Sequence, residues 1–310
     1  MWSKRALVSG LGLALLLCAC GAARPPDARG PAPAQSGTEP LPARMRCLYY
    51  EREQVQGGIS APRDYALEHP LVAGMVPHHL LASDMIAGFF RLAARREQRV
   101  ETVLLVSPSH FPARCGSDVV TATAGWSTPF GPVETDRRIA EALLQNNVIA
   151  AENNPDAVEY DHGAAGLIPF VRHYLPEAKV AVVLLSNKLS AKRLDEVCGE
   201  LEALCADGGI LLVASADCSH YLMPREAALR DEETARAVEE FDLARIAGFS
   251  DSNVDSPQAL TALLATARSK DAAMYMLDHS SSPEKLGLSL SSSAYNEGIT
   301  TYFVYAAALE

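Results

Sequence analysis

Three short apolar runs in this chain each stop at a side chain that can hold a metal or move a proton. Leu71–Val76 passes through Pro77 to His78, Val103–Val106 passes through Ser107-Pro108-Ser109 to His110, and Ile210–Ser215 passes through Asp217 to His220. Runs of this length, bounded by Pro and Ser, predict buried strands rather than helices. Ligands of open α/β sheets bind outside the carboxyl ends of such strands, so the three histidines are expected to meet in one cleft. Neutral imidazole is the commonest protein metal ligand, and two imidazoles with one carboxylate or thiolate leave coordination positions open for a substrate.

Other residues fall around this set. Asp217, three residues before His220, is expected to orient that imidazole, with a turn cap as the alternative. His162, in Asp161-His162-Gly163 ahead of an apolar stretch, either faces the same cleft or caps a surface helix. His79 points away from His78 if the strand continues, and is read as a bystander. His69, His173 and His279 lie in polar or helical settings and are not expected to be ligands, His279 being the closest to an exception. Ser107 and Ser109 sit beside His110 on one loop, a poor arrangement for a serine nucleophile and its base. The chain has no phosphate-binding Gly-rich loop, no Gly-x-Ser-x-Gly elbow and no pair of Cys-x-x-Cys motifs.

The elements that must position these residues alternate between strand and helix. Strands are predicted at 71–76, 100–106, 118–124, 179–186 and 209–215, and late ones at 286–290 and 300–306; 125–132, rich in Pro and Gly, reads as a hairpin or loop. Helices are predicted at 80–96, 136–145, 191–206, 226–249 and 257–267, and at 164–175 with a kink or late start at Pro169. Val180–Leu185 is apolar without interruption, as in a parallel sheet covered on both faces. The expectation is one α/β domain with a mostly parallel central sheet.

Composition agrees: 48% of the 310 residues are hydrophobic but only 6% aromatic, and the formal net charge of -11 argues against nucleic acid as a partner. Residues 1–19 read as a targeting segment, with Lys4 and Arg5 ahead of the apolar stretch Ala6–Leu17. Leu17-Cys18-Ala19-Cys20 resembles the lipobox of bacterial lipoproteins, which implies a lipidated Cys20, membrane attachment and a place in the bacterial cell envelope. An ordinary signal peptide or an uncleaved anchor is the alternative. Gly21 after that cysteine leaves outer-membrane delivery open. Residues 20–44, rich in Pro and Ala, read as a disordered tether, and 45–310 as the folded domain. Cys47, Cys115, Cys198, Cys205 and Cys218 then remain, an odd number with no legible disulfide framework.

Five motifs stand in the same order as in a known family. They are Pro77-His78, Ser107-Pro108-Ser109-His110, Trp126-Ser127-Thr128-Pro129-Phe130-Gly131, Asp161-His162-Gly163 and Ser215-Ala216-Asp217-Cys218-Ser219-His220-Tyr221. Through them residues 70 to 306 resemble the Memo family, also called AmmeMemoRadiSam system protein B. That family is similar in fold to the class III extradiol dioxygenases, an α/β sandwich with a metal held by two strand-end histidines and an acidic or thiolate residue. The resemblance implies His78 and His110 as metal ligands, and His220 as acid/base or substrate contact supported by Asp217. The sequence departs from the family in having His78-His79-Leu80 where His-Ala-Gly is common, and no cysteine in 267–272. Asp271 is the first candidate for the third ligand, with Asp255 and His279 behind it; loss of metal binding is the remaining option.

The expected function is metal-dependent redox or oxygen-dependent chemistry on a small-molecule substrate. A carboxylate ligand favours Fe(II), with copper or zinc as alternatives, and His220, Asp217 and His162 are the candidate catalytic residues. The competing expectation is a non-catalytic envelope binding protein that keeps the fold and the cleft. A metal-dependent hydrolase ranks below both, since no two-metal Asp/His cluster is visible.

Overall fold

The computed structural model describes residues 44–96, 99–206, 208–288 and 298–310. The expected targeting segment, 1–19, and the expected tether, 20–44 apart from Arg44, lie outside the described residues.

After β1 (Met45–Arg46) and α1 (Arg52–Ser60), strand β2 spans Leu71–Val76 with every residue buried. Leu80–Ala82 forms a 3-10 turn, so the helix expected from Leu80 begins as α2 at Ser83 and runs to Ala93. β3 covers Thr102–Pro108 and β4 only Val119–Thr121. β5 (Trp126–Thr128) and β6 (Gly131–Val133) make the expected hairpin, where Gly131 adopts φ +111, a conformation that favours glycine. Asp136 starts α3 (Arg137–Gln145) by accepting from the Arg138 N–H.

β7 (Glu152–Asn153) and α4 (Pro155–Tyr160) lead to a helical stretch divided into α5 (His162–Ala165) and α6 (Ile168–Tyr174). The division is the late start predicted for Pro169, which has no N–H and is accommodated in a first turn. β8 (Lys179–Leu185), α7 (Ala191–Leu204) and β9 (Ile210–Ser215) follow, and β10 (Cys218–Leu222) comes almost at once. The long helix expected over 226–249 is instead α8 (Pro224–Glu239) and α9 (Leu243–Ile246). Phe241 breaks it with φ +51, and Asp242 caps the second piece through the Arg245 N–H.

α10 (Pro257–Ser269), β11 (Ala272–Ser281), α11 (Ser282–Lys285) and β12 (Ile299–Leu309) close the chain. The strand expected at 286–290 is absent from its described part, because Leu286 and Gly287 turn back after α11 with Gly287 at φ +65. Residues 289–290 lie outside the described ones.

The main sheet has the order β10-β12-β2-β9-β3-β8-β4-β7, with β11 also paired to β12. Its centre, β2-β9-β3-β8, is parallel, and antiparallel pairing begins at β12 on one side and β4 on the other. Side chains alternate between two cores, as strand geometry requires. Val103, Leu105, Val180 and Val182 pack with Phe89, Phe90 and Phe170, whereas Leu104, Val106, Ala181 and Val183 pack with Leu143, Leu201 and Leu264. A fully buried side chain of this size contributes about 1.5–3 kcal/mol, so both faces hold the sheet firmly. The result is an α/β sandwich with a mostly parallel centre, and the carboxyl ends of β2, β3 and β9 share one rim.

Candidate functional site

At that rim the first histidine is fixed on three sides. Pro77 follows β2, and the His78 N–H then donates to Asp217 Oδ1 at 3.0 Å. The Ser215 hydroxyl, from the last residue of β9, donates to the Gly163 carbonyl and lies 3.1 Å from His78 Nδ1. Having one hydrogen, already given, it accepts from His78 Nδ1–H. The tautomer is thereby set, and Nε2 faces Asp217 Oδ2 at 3.5 Å and Asp255 Oδ2 at 3.2 Å.

The second histidine is locked in the same sense. Asp161 takes the His110 N–H on Oδ2 and the ring Nδ1–H on Oδ1, both at 2.8 Å, and caps α5 through the Gly163 N–H at 3.0 Å. His110 Nε2 is left 3.8 Å from the same Asp255 Oδ2. That oxygen is buried and makes no hydrogen bond, while Asp255 Oδ1 accepts from the Asp217 N–H. Two imidazole nitrogens therefore converge on one buried carboxylate oxygen.

The electrostatics follow from this crowding. Burial alone lowers the affinity of His110 for a proton, but Asp161 and Asp255 outweigh it and raise the pKa to about 10. His78 is likewise raised, burial being overcome by Asp217 and Asp255. Burial pushes Asp255 up, yet His78, His110 and His220 hold it well below the usual carboxylate range. His162 stacks on His110 with ring centroids 3.8 Å apart, and burial with the two neighbouring imidazoles pushes it down to about 4.

The cluster lines a cavity of about 770 Å³ that also admits His79, His162, Asp217 and His220. His79, set aside from the sequence, is thus on the cavity wall, its ring bonded to the Tyr302 hydroxyl. Asp217 does not orient His220 as expected; its Oδ1 receives the His78 N–H and that of His79. His220 enters the cavity from β10 with its N–H donating to the Asp251 carbonyl and its Nδ1 buried without a partner.

Asp271 is not brought to the site. It precedes Ala272, which pairs with Leu309, beside Ala308 and Leu71 at the opposite end of β2. At about 3.3 Å per residue, that is about 20 Å from His78, too far to share an ion with it. His279 is elsewhere too, its Nε2 2.8 Å from Asp231 Oδ2. The carboxylate that lies beside both histidines is Asp255. Its sequence context, Asp255-Ser256-Pro257, looks like a helix start, but Ser256 performs the capping by accepting from the Ala259 N–H. The acid before a serine cap was therefore spare, and that is the signal for it.

Among the described residues two overlapping sets could hold an ion, His78, His110 and His162, and His78, Asp217 and Asp255, each with ligand atoms within 4.8 Å of one another; Asp255 Oδ2 of the second set also faces His110 of the first. The donors suit a divalent cation, which would displace the protons from two imidazoles whose Nδ1–H is already engaged and whose Nε2 faces a buried carboxylate.

Such a sandwich, with histidines and carboxylates gathered at parallel strand ends, defines an α/β protein with a candidate metal-binding cleft. The sequence profile described as Memo-like protein matches residues 67–299, and the chain belongs to that family. A MEMO1 family protein of Thermotoga maritima is 24% identical over 210 residues, 67% of this chain and 74% of the relative. One of Methanococcoides burtonii is 25% identical over 184 residues, 58% of this chain and 66% of the relative. Among solved structures, an uncharacterized protein, JW3007 of Escherichia coli K12, aligns with a TM-score of 0.49 and 15% identity, covering 76% of this chain and 99% of that one.

Proposed function

We propose that this Memo-like protein holds one divalent metal ion between His78, His110 and Asp255, and performs redox or oxygen-dependent chemistry on a small molecule. The observation that carries the reading is the buried Asp255 Oδ2, without a hydrogen bond, facing the Nε2 atoms of both histidines. Two imidazoles and a carboxylate with open positions favour Fe(II), which would supply a Lewis-acidic, redox-active centre beside the substrate.

The protein's own groups take the remaining tasks. Ser215 and Asp161 hold His78 and His110 in the tautomers that present Nε2. His162, kept neutral at physiological pH, is available to accept a proton. His220 lines the cavity and is the candidate acid/base or substrate contact, its Nδ1 being buried without a partner. Asp217 fixes the backbone at His78 and His79 rather than moving a proton itself.

Anaerobic loading of the purified protein with iron, copper or zinc, followed by metal analysis, tests the reading. About one equivalent should bind to the wild type and much less to His78→Ala, His110→Ala or Asp255→Ala. A wild type that stays empty with all three metals overturns it. We place the protein at the cell envelope through lipid on Cys20, on the strength of the lipobox-like Leu17-Cys18-Ala19-Cys20. Labelled palmitate should enter the wild type and not Cys20→Ser.

A further inference from the structure

Resting on the metal-binding reading of the same cleft, we propose that its substrate is a planar aromatic cation, stacked on Tyr221 and selected by Glu51 and Asp251. A divalent ion carries two positive charges, matched by the carboxylates of Asp217 and Asp255 that surround it. Glu51 and Asp251 also line the cavity, and no Lys or Arg is present among its described lining residues. The balance left at the mouth is negative. Fields of one sign in a cleft with low-dielectric walls attract the opposite charge and repel the same one, so carboxylated or phosphorylated substrates are disfavoured.

The walls supply the shape. Tyr221 lines the cavity while 80% exposed, an unusual position for a large aromatic side chain. Its backbone is held at φ +57 and that of Ser219 at φ +46. Residues kept in such sparsely populated conformations persist only where the surroundings impose them, and they cluster at ligand sites. Gly298 packs directly against this segment: a Cβ at that position would lie 2.3 Å from the Tyr221 carbonyl carbon, so only glycine lets the two backbones approach. Another aromatic lining residue, Tyr49, has its ring 5.6 Å from that of His162 and its hydroxyl bonded to the Tyr160 carbonyl. An aromatic face with carboxylates nearby and no competing cation suits a ring bearing an ammonium group.

The experiment compares three probes by calorimetry on the metal-loaded protein: tryptamine, indole-3-acetate and the non-aromatic cation 2-cyclohexylethylamine. Tryptamine should bind at least tenfold more tightly than either of the others at low salt, and its advantage over indole-3-acetate should shrink as salt screens the charges. Glu51→Gln combined with Asp251→Asn should remove most of the preference over indole-3-acetate without changing metal content. Tyr221→Ala should weaken tryptamine about tenfold while Tyr221→Phe retains it, which separates stacking from the hydroxyl. Equal or tighter binding of indole-3-acetate, no measurable tryptamine binding, or indifference to these substitutions overturns the proposal. Metal content measured on the same samples separates the two readings. Uptake without charge discrimination sinks only this proposal, and discrimination without uptake sinks only the metal centre.

Discussion

His78 Nε2 lies 3.2 Å from Asp255 Oδ2, yet that oxygen is without a hydrogen bond. In the metal-free protein the charge of that buried oxygen is countered by the imidazoles alone, His110 Nε2 also arriving at 3.8 Å. An ion shared by the three atoms would satisfy all of them at once.

Asp255→Asn separates charge from shape. The amide has nearly the volume of the acid but no negative charge, and a substituted carboxamide is a poor anionic donor for a hard divalent ion. Metal affinity should fall by at least a hundredfold, read by competition with a chromogenic chelator, whereas Asp271→Asn should leave it unchanged. Equal affinity for the Asp255→Asn protein and the wild type would remove Asp255 from the ligand set.

Ser215→Ala reaches the metal only through His78. It removes the acceptor for His78 Nδ1–H and the donor to the Gly163 carbonyl, both buried. Loss of such an orienting partner costs about 10- to 100-fold in metal affinity, and the stranded groups should lower stability by about 1–3 kcal/mol. Chelator competition and urea denaturation would measure the two effects. Unchanged affinity in a folded protein would mean that the tautomer of His78 is fixed by something else.

The metal-free protein should be most stable near pH 6.5 and weaken on either side. His110 has its folded pKa raised to about 10 by Asp161 and Asp255, acting against burial. Its contribution is complete below the unfolded value of about 6.5 and is lost as pH rises from there through about 10. His162 acts in the opposite direction. Burial, then His110 and His78, lower it to about 4, so stability is lost as pH falls from about 6.5 through about 4. Denaturant midpoints from pH 5 to 10 would trace both limbs, and His110→Gln should flatten the alkaline one. Rising stability between pH 7 and 10 would contradict this account.

How much of this was legible in the sequence depends on where each signal resides. His78 and His110 were readable because continuous apolar strands ending in Pro or Ser carry their ends to one rim. Asp255 is harder, since it belongs to a loop before α10 that is held at the site by two bonds to Asp217, the Asp255 N–H donating to the Asp217 carbonyl and the Asp217 N–H to Asp255 Oδ1. Asp271 was misplaced because sequence distance from a motif says nothing about which end of the sheet a turn occupies. β11 is not marked in the sequence for a related reason: only three of its ten residues are buried, so an edge strand such as Ala272–Ser281 lacks the apolar run that marks central strands. The break at Phe241 depends on a positive φ that no residue type in 226–249 announces.

Gly163→Ala tests how closely the site is built. Gly163 is in α5, its N–H bonded to Asp161 Oδ1 and its carbonyl receiving the Ser215 hydroxyl. A Cβ there would lie 2.4 Å from Ser107 Oγ and 2.9 Å from His110 Cε1. The Ser107 hydroxyl can rotate away only within a fully buried space, and His110 is tethered to Asp161 at both its N–H and its Nδ1. Relief must come from moving His110 or the start of α5, and either displaces Nε2 from Asp255. Overpacking of this kind costs about 1–3 kcal/mol. We expect Gly163→Ala to fold with a lowered denaturation midpoint and to lose most of its metal affinity. Circular dichroism would establish that it folds, and chelator competition would measure the loss. Wild-type affinity in the folded variant would show that His110 is free to move without consequence, and would take it out of the ligand set.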